Sequence, residues 1–357
     1  MAKNDHPSFA RNLSRWMQGG GSSSDIVISS RVRLARNLND VPFPPEMGRD
    51  DAIVVLDRAG HVTEHLETAT DDHYAFYSLK AIDEIDRWVL VEKHLISPQL
   101  TRSAALSGII LREDEAVSIM VNEEDHFRVQ CLLPGLKLEK AWELSDEVDD
   151  MLAEVVDYAF DDRLGHLTTC PTNLGTGMRA SVMVHLPGLV MAEKLDSVVS
   201  GLSKVGAVVR GLYGEGSEAT GNLFQISNRA TLGQKESEIV DNLGAMVSEV
   251  VQRERSAREL VYKQDRKKLE DRVYRSYGLL TNARMMGSEE GMQLLSLLRL
   301  GIDLNIVSHV SRDVFQELMI RTRPSIIQRE ADEAMESNAR DIRRADLLRE
   351  RLQGPLR

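Results

Sequence analysis

Four stretches of this chain gather side chains that handle charge. The first is Ser29-Ser30-Arg31-Val32-Arg33-Leu34-Ala35-Arg36, after the apolar run Ile26-Val27-Ile28. In an extended segment alternate residues share a side, so Arg31 and Arg33 point together. Two guanidinium forks on one face repel each other unless an anion sits between them, and their parallel N–H donors match phosphate. A solvated basic strand edge would read the same way, and the stretch alone does not separate the two.

The second is Asn122-Glu123-Glu124-Asp125-His126, after the apolar run Val117–Val121. Adjacent carboxylates are costly if buried unpaired, so they call for a cation, either a metal or a substrate guanidinium. An acidic surface turn is the commoner origin of such a run. The third is Cys170-Pro171-Thr172-Asn173-Leu174-Gly175-Thr176-Gly177, followed by Met178-Arg179-Ala180-Ser181-Val182-Met183. Glycines and small hydroxyl residues let backbone N–H groups approach an anion closely. The stretch is not a P-loop, because G-x-x-x-x-G-K-[ST] is absent. Nor is it a protein-kinase glycine-rich loop, because no H-R-D or D-F-G follows. A structural turn is the plain alternative. The fourth, Arg210-Gly211-Leu212-Tyr213-Gly214-Glu215-Gly216-Ser217, puts an arginine and a carboxylate on one glycine-rich loop and is weak by itself. A fifth pattern is a decoy. His61-Val62-Thr63-Glu64-His65 matches the H-x-x-E-H zinc pattern, but five residues match easily by chance, and a surface helix is expected there.

The elements that must position these residues are legible as alternation and spacing. Residues 1–24 contain Gly19-Gly20-Gly21-Ser22-Ser23-Ser24 and read as a flexible lead-in. From 25 to 235 strands and helices mix. Val117–Val121, 127–132 and 182–186 read as strands, and 147–160 reads as a helix from Val148, Met151, Leu152, Val155, Val156 and Ala159. From 236 to 357 the stripe Ile239, Leu243, Met246, Val247 and Val250 opens an all-helical domain. The class is α+β followed by helices.

Composition narrows the functions. The net charge of −12 argues against nucleic acid, which needs a basic face. Two cysteines are too few for a disulfide framework, which fits a reducing cytoplasm. No apolar run approaches the ~20 residues that span a bilayer, and the polar start carries no signal-peptide core, so a cytoplasmic location without membrane contact is expected.

Taken in order, the four stretches resemble the phosphagen (guanidino) kinase family over roughly residues 25–235. The Cys170–Gly177 stretch is similar to the family signature, and Asn122–His126 to a second family block. The resemblance implies an antiparallel sheet flanked by helices, with ATP and Mg²⁺ as cofactors and the metal held mainly through the nucleotide phosphates. It implies nucleotide contacts at Ser29, Ser30, Arg31, Val32, Arg33, His94, Arg128, Arg179, Ala180, Ser181, Val182, Met183 and Arg210 through Glu215. It further implies Glu124 and Glu215 as the carboxylates that orient the guanidinium, with Cys170 as the reactive cysteine beside it. Gln225 departs from the aspartate of creatine-type members.

Two further departures imply a macromolecular substrate. Only 28 residues precede Ser29, against a helical domain in small-guanidine kinases, so an open site is expected. The helical extension also carries Arg340-Asp341-Ile342-Arg343-Arg344-Ala345, similar to a motif of family members that act on proteins. On that resemblance Arg340, Asp341 and Arg344 form an activating phosphoarginine-docking site. The function expected is ATP-dependent phosphorylation of arginine side chains in proteins, marking them for Clp-type proteolysis. An activator protein, a Clp ATPase–protease and a second copy of the chain are the expected partners. The alternatives are a kinase for a free guanidine and a phosphoarginine-binding adaptor without kinase activity.

Overall fold

The computed structural model describes residues 9–211 and 219–353. Strands β1 (Val27–Arg36), β2 (Tyr74–Ser78), β3 (Gly108–Arg112), β4 (Val117–Val121), β5 (Phe127–Pro134), β8 (Met178–His185), β9 (Ala207–Gly211) and β10 (Leu223–Asn228) form one sheet. Its order is β2-β3-β4-β5-β1-β8-β10-β9, and all its pairings are antiparallel. A small hairpin, β6 (Phe160–Asp161) with β7 (Gly165–His166), stands apart from it. The arginine block is therefore a central strand; the acidic turn leads into its neighbour β5, and the cysteine loop leads into its neighbour β8.

One face of the sheet is covered by α1 (Arg49–Ala69), α4 (Leu138–Ala153) and α7 (Glu236–Gln264). Val32, Leu34, Val129, Ala180, Val182 and Ile226 point to this face and share one core with Val55, Val62, Val148, Leu152, Leu243 and Val247. α7, which composition assigns to the helical domain, thus packs as part of the sheet's own core. α5 (Pro187–Met191) and α6 (Leu195–Lys204) lead from β8 to β9.

The second core lies on the opposite face. There Met120, Leu132 and Met183 meet α2 (Glu84–Glu92), α3 (Pro98–Arg102), α8 (Arg266–Asn282), α9 (Ser288–Asp303), α10 (Asp313–Arg321), α11 (Pro324–Ala331) and α12 (Ser337–Gln353), through residues such as Val89, Leu100, Leu269, Leu295, Met319, Ile326 and Leu348. The late helices cover part of this face and leave the arginine-bearing part beside them.

Two expectations need correction. Residues 9–24 are not a flexible lead-in. Trp16 is fully buried and donates to the Lys93 carbonyl, Phe9 is buried, and the Ser14 hydroxyl donates to Glu115. Burial of large apolar side chains outweighs the glycine–serine composition of the segment. The helix expected at 147–160 runs from Leu138 to Ala153 instead. Leu138, Ala141, Ser145, Val148 and Leu152 make the buried stripe, whereas Val155 is exposed and Tyr158 bridges to Leu38 in extended form.

Candidate active site

Strand register assembles the site. Directly paired residues of adjacent strands point to one face. Arg33 pairs with Gln130 on β5 and Arg179 on β8, and Ala35 pairs with Arg128. Arg31 pairs with Ser181, which pairs with Ser227, while Gln225 links Met183 to Arg210. Five arginines drawn from four strands therefore project from one face. They line a cavity of about 410 Å³ together with Ala35, Glu124, Cys170, Thr172, Asn173, Gly177, Gln225 and Ser227. Arg36, of the opposite parity, goes through the sheet. It is buried, forks onto Asp149 at 2.6–3.1 Å, and donates to the Thr176 carbonyl, which pins the Cys170–Gly177 loop from behind.

Among the described residues, Nε of Arg33 and Nε of Arg179 are buried with no hydrogen-bond partner. Burial first, then the charges of Arg31, Arg128 and Arg179, pull the Arg33 pKa well below its ordinary value. Arg179 is shifted the same way by burial, then by Arg210 and Arg128. Like charges packed at this density are costly, and an anion of high charge relieves the cost. His94 sits nearby with a left-handed backbone at φ 61°. Burial, then Arg31 and Arg323, push it down to about 3, so it is neutral near pH 7.

The acidic turn divides its labour. Arg128 Nη1 meets Glu123 at 2.6 Å and Arg128 Nη2 meets Glu124 at 2.5 Å. Glu123 also accepts from the Ser97 hydroxyl. Asp125 is fully buried and accepts from the Asn37 amide and the Thr169 N–H, both at 2.7 Å, joining this turn to the cysteine loop. Asn122 donates to the carbonyls of Ala52 and Leu106, and His126 takes the Leu38 N–H. Two of the three carboxylates face the arginines, and the rest of the block is scaffold.

Cys170 lines the cavity, its sulfur 3.0 Å from the Thr172 hydroxyl. Gly175 at φ 105° and Gly177 at φ 66° hold the loop in left-handed conformations. A Cβ would meet the Thr231 carbonyl at 2.7 Å or the Ala35 carbonyl at 2.6 Å.

Other expected site residues fall elsewhere. The side chains of Val32, Ala180 and Val182 are in the core on the far face, and the Ser30 hydroxyl donates to the Gly135 carbonyl, so these positions can offer a ligand only backbone. Ser29 and Met183 are buried on the site face. Gly211 ends β9. Leu212, Tyr213, Gly214 and Glu215 lie outside the described residues. Of the docking motif, Arg344 is buried, with its Nε on the Thr322 carbonyl at 2.8 Å and Nη1 on the Met286 carbonyl and Asp341. Arg340 donates to the Met335 carbonyl. His65 pairs with Glu154 and His61 is exposed. Among the described residues no group of three histidine, cysteine, aspartate or glutamate side chains is placed to hold a metal. Sequence reasoning does not single out Glu123 as an arginine partner, nor the neighbouring cavity wall formed by Trp88, Ser288 and Arg323.

Sheet, arginine cluster and opposed carboxylate define a guanidine-directed ATP phosphotransferase. The model of the ATP:guanido phosphotransferase C-terminal catalytic domain matches residues 58–257, and that of the Protein-arginine kinase McsB C-terminal domain matches 266–355. The protein-arginine kinase of Moorella thermoacetica is 48% identical over 96% of this chain and 98% of its own length, and that of Bacillus subtilis 48% over 95% and 93%. Among solved structures, lombricine kinase superposes with a TM-score of 0.58 at 27% identity, covering 70% of both chains. A duplicated taurocyamine kinase from Schistosoma mansoni shares the fold, with a TM-score of 0.59 at 24% identity over 76% of this chain and 39% of its own. The chain belongs to the protein-arginine kinases, the branch of the ATP:guanido phosphotransferase family that carries this C-terminal helical domain. It is an ATP-using phosphotransferase whose acceptor is arginine in a protein substrate. No helix among the described residues is long and apolar enough to cross a membrane.

Proposed function

We propose that the triphosphate of ATP lies on the arginine face, held by Arg31, Arg33, Arg128, Arg179 and Arg210. In this reading the nucleoside extends toward His94, and the backbone of Ser29–Val32, Ala180–Met183 and Gly211 lines its course. Mg²⁺, held mainly through the nucleotide phosphates as the family resemblance implies, would neutralise charge there. Glu124 orients the acceptor guanidinium, with Glu215 as its partner and Cys170 beside it. A guanidinium with a pKa above ~12 is a poor nucleophile, because its lone pairs are delocalised. A carboxylate that holds it in plane and takes the departing proton makes one nitrogen available for in-line attack on the γ-phosphorus. The arginines stabilise the charge on the transferring phosphoryl group.

The carrying observation is the pair of buried Nε groups of Arg33 and Arg179 that have no partner among the described residues, within reach of the cavity that Glu124 borders. Glu124→Gln should abolish phosphoarginine mass shifts on a model protein incubated with Mg-ATP, with samples kept out of acid and far-UV circular dichroism unchanged. Wild-type levels of modification in that variant would end this assignment.

We further propose that Arg340 and Asp341 dock phosphoarginine, with Arg344 positioning them from within the core. The product marks proteins for a Clp-type ATPase–protease in the cytoplasm, under control of an activator protein, and the kinase works as a homodimer. The family resemblance supports these assignments.

A further inference from the structure

A second cavity of about 510 Å³ adjoins the arginine cluster and shares Arg31 and Arg33 with it. One wall is Trp88, Val91, Glu92, His94, Pro98 and Met120, from α2, α3, their connecting turn and β4. The other wall is Ser288, Arg323 and Pro324, from the late helices. A cavity that is apolar along one side and cationic at the end nearest a phosphate site suits a nucleoside joined to phosphate.

Arg323 is the cation that the sheet does not supply. It is 9% exposed, and its charge acts on both His94 and Glu92. Its backbone is fixed on both sides. The preceding carbonyl, Thr322, takes the Arg344 Nε–H at 2.8 Å, and the Arg323 N–H donates to Ile320 at 2.9 Å. The following residue, Pro324, opens α11, whose first amides at Ser325 and Ile326 donate to the Glu92 carboxylate at 3.1–3.2 Å. Glu92 belongs to α2, two residues before His94, and α2 is further tied to α11 by the Asp86–Arg329 ion pair at 2.9 Å. The guanidinium is therefore delivered to the cavity by a braced segment. Three arginines and a neutral histidine share this space with one carboxylate, Glu92, whose oxygens already accept from the first amides of α11, so cationic charge is in excess there and an anionic ligand stabilises it.

We propose that Arg323 is a nucleotide-binding residue contributed by the helical layer, gripping the ribose–α-phosphate portion of ATP opposite His94. This rests on the nucleotide assignment above and extends it, because it makes the helical layer a wall of the nucleotide site. Calorimetric titration of the full chain with Mg-ADP tests it, with Arg33→Gln as the reference. Arg323→Gln should weaken Mg-ADP by about ten-fold or more, the loss expected for a charge-assisted hydrogen bond. It should raise the KM for ATP, leave the KM for the protein substrate unchanged, and be partly rescued by Arg323→Lys. Wild-type affinity in Arg323→Gln with loss in Arg33→Gln overturns the proposal and leaves the nucleotide assignment standing. Wild-type affinity in both overturns both. If Arg323→Gln does not fold, hydrogen exchange on the wild-type chain decides. Mg-ADP should slow the amides of residues 322–327, and unchanged exchange there counts against the proposal.

Discussion

Arginine serves two opposite purposes in this protein, and the contrast lies between the site face of the sheet and the junction of α7 with α9. At the junction every guanidinium nitrogen of Arg258 and Arg299 has an acceptor. Arg258 donates to Glu254, to Asp303 and to the carbonyls of Asp25 and His185. Arg299 donates to Asp303 and to the carbonyls of Arg312 and Ser24. These side chains are 4% and 1% exposed, so the charge is inside the fold and satisfied there. On the site face, Arg33 and Arg179 keep a buried N–H with no acceptor among the described residues and crowd other arginines. Saturated forks bind the chain to itself, whereas unsaturated forks of like charge are stable only at the expense of the fold and mark a place for an anion.

That distinction can be broken by experiment. The largest effect belongs to Arg33→Gln. We expect kcat/KM for ATP to fall about a hundred- to a thousand-fold, as when one transition-state donor is removed. The melting temperature without nucleotide should not fall, because a repulsive charge is gone; a large destabilisation would mean that Arg33 is structural. The converse is Arg258→Met. Leaving the buried Glu254 carboxylate without the Arg258 guanidinium should cost about 3–5 kcal/mol of unfolding free energy, read by denaturant titration, with the KM for ATP unchanged. A normal stability would erase the contrast.

A third, smaller effect is on pH. His185 is fully buried beside this network, its ring 2.8 Å from the Ser296 hydroxyl. Burial, then Arg258 and Arg299, hold its pKa well below 6.5. The unfolded chain therefore binds a proton that the folded chain refuses. Stability is intact above about pH 6.5 and declines as pH falls, by up to about 1.4 kcal/mol per unit from this group. Comparing unfolding free energies at pH 7 and 5.5 for wild type and His185→Gln isolates this slope; equal slopes would remove His185 from the account. The smallest effect is at Arg253, an exposed i,i+4 partner of Glu249. Arg253→Ala should change stability by less than about 0.5 kcal/mol and leave turnover alone. A larger change would show that pairing alone, without burial, sets an arginine's worth here.

Much of the site is legible in the amino-acid sequence. Alternation along β1 separates Arg31 and Arg33 from Arg36, because side-chain direction in a strand has a strict period of two. The acidic turn and the glycine-bearing cysteine loop announce themselves by residue types that are costly without a partner. The roles inside the acidic turn are not legible there. Glu123, Glu124 and Asp125 are chemically alike, and only the approach of Arg128 on one side and of Asn37 and Thr169 on the other assigns them. The segment before β1 misleads for a related reason. Composition measures local flexibility, whereas Trp16 is held by Lys93, 77 positions away.

By itself, then, the chain determined which charges exist, which of them share a strand face, and the family to which their order belongs. These are local properties, set by backbone periodicity and side-chain chemistry. Only the folded structure decided that arginines from four strands converge, that α7 packs with the sheet, and that Arg323 reaches the cavity next to His94. Each of those depends on strand register and long-range packing, which bring together residues that no local rule relates.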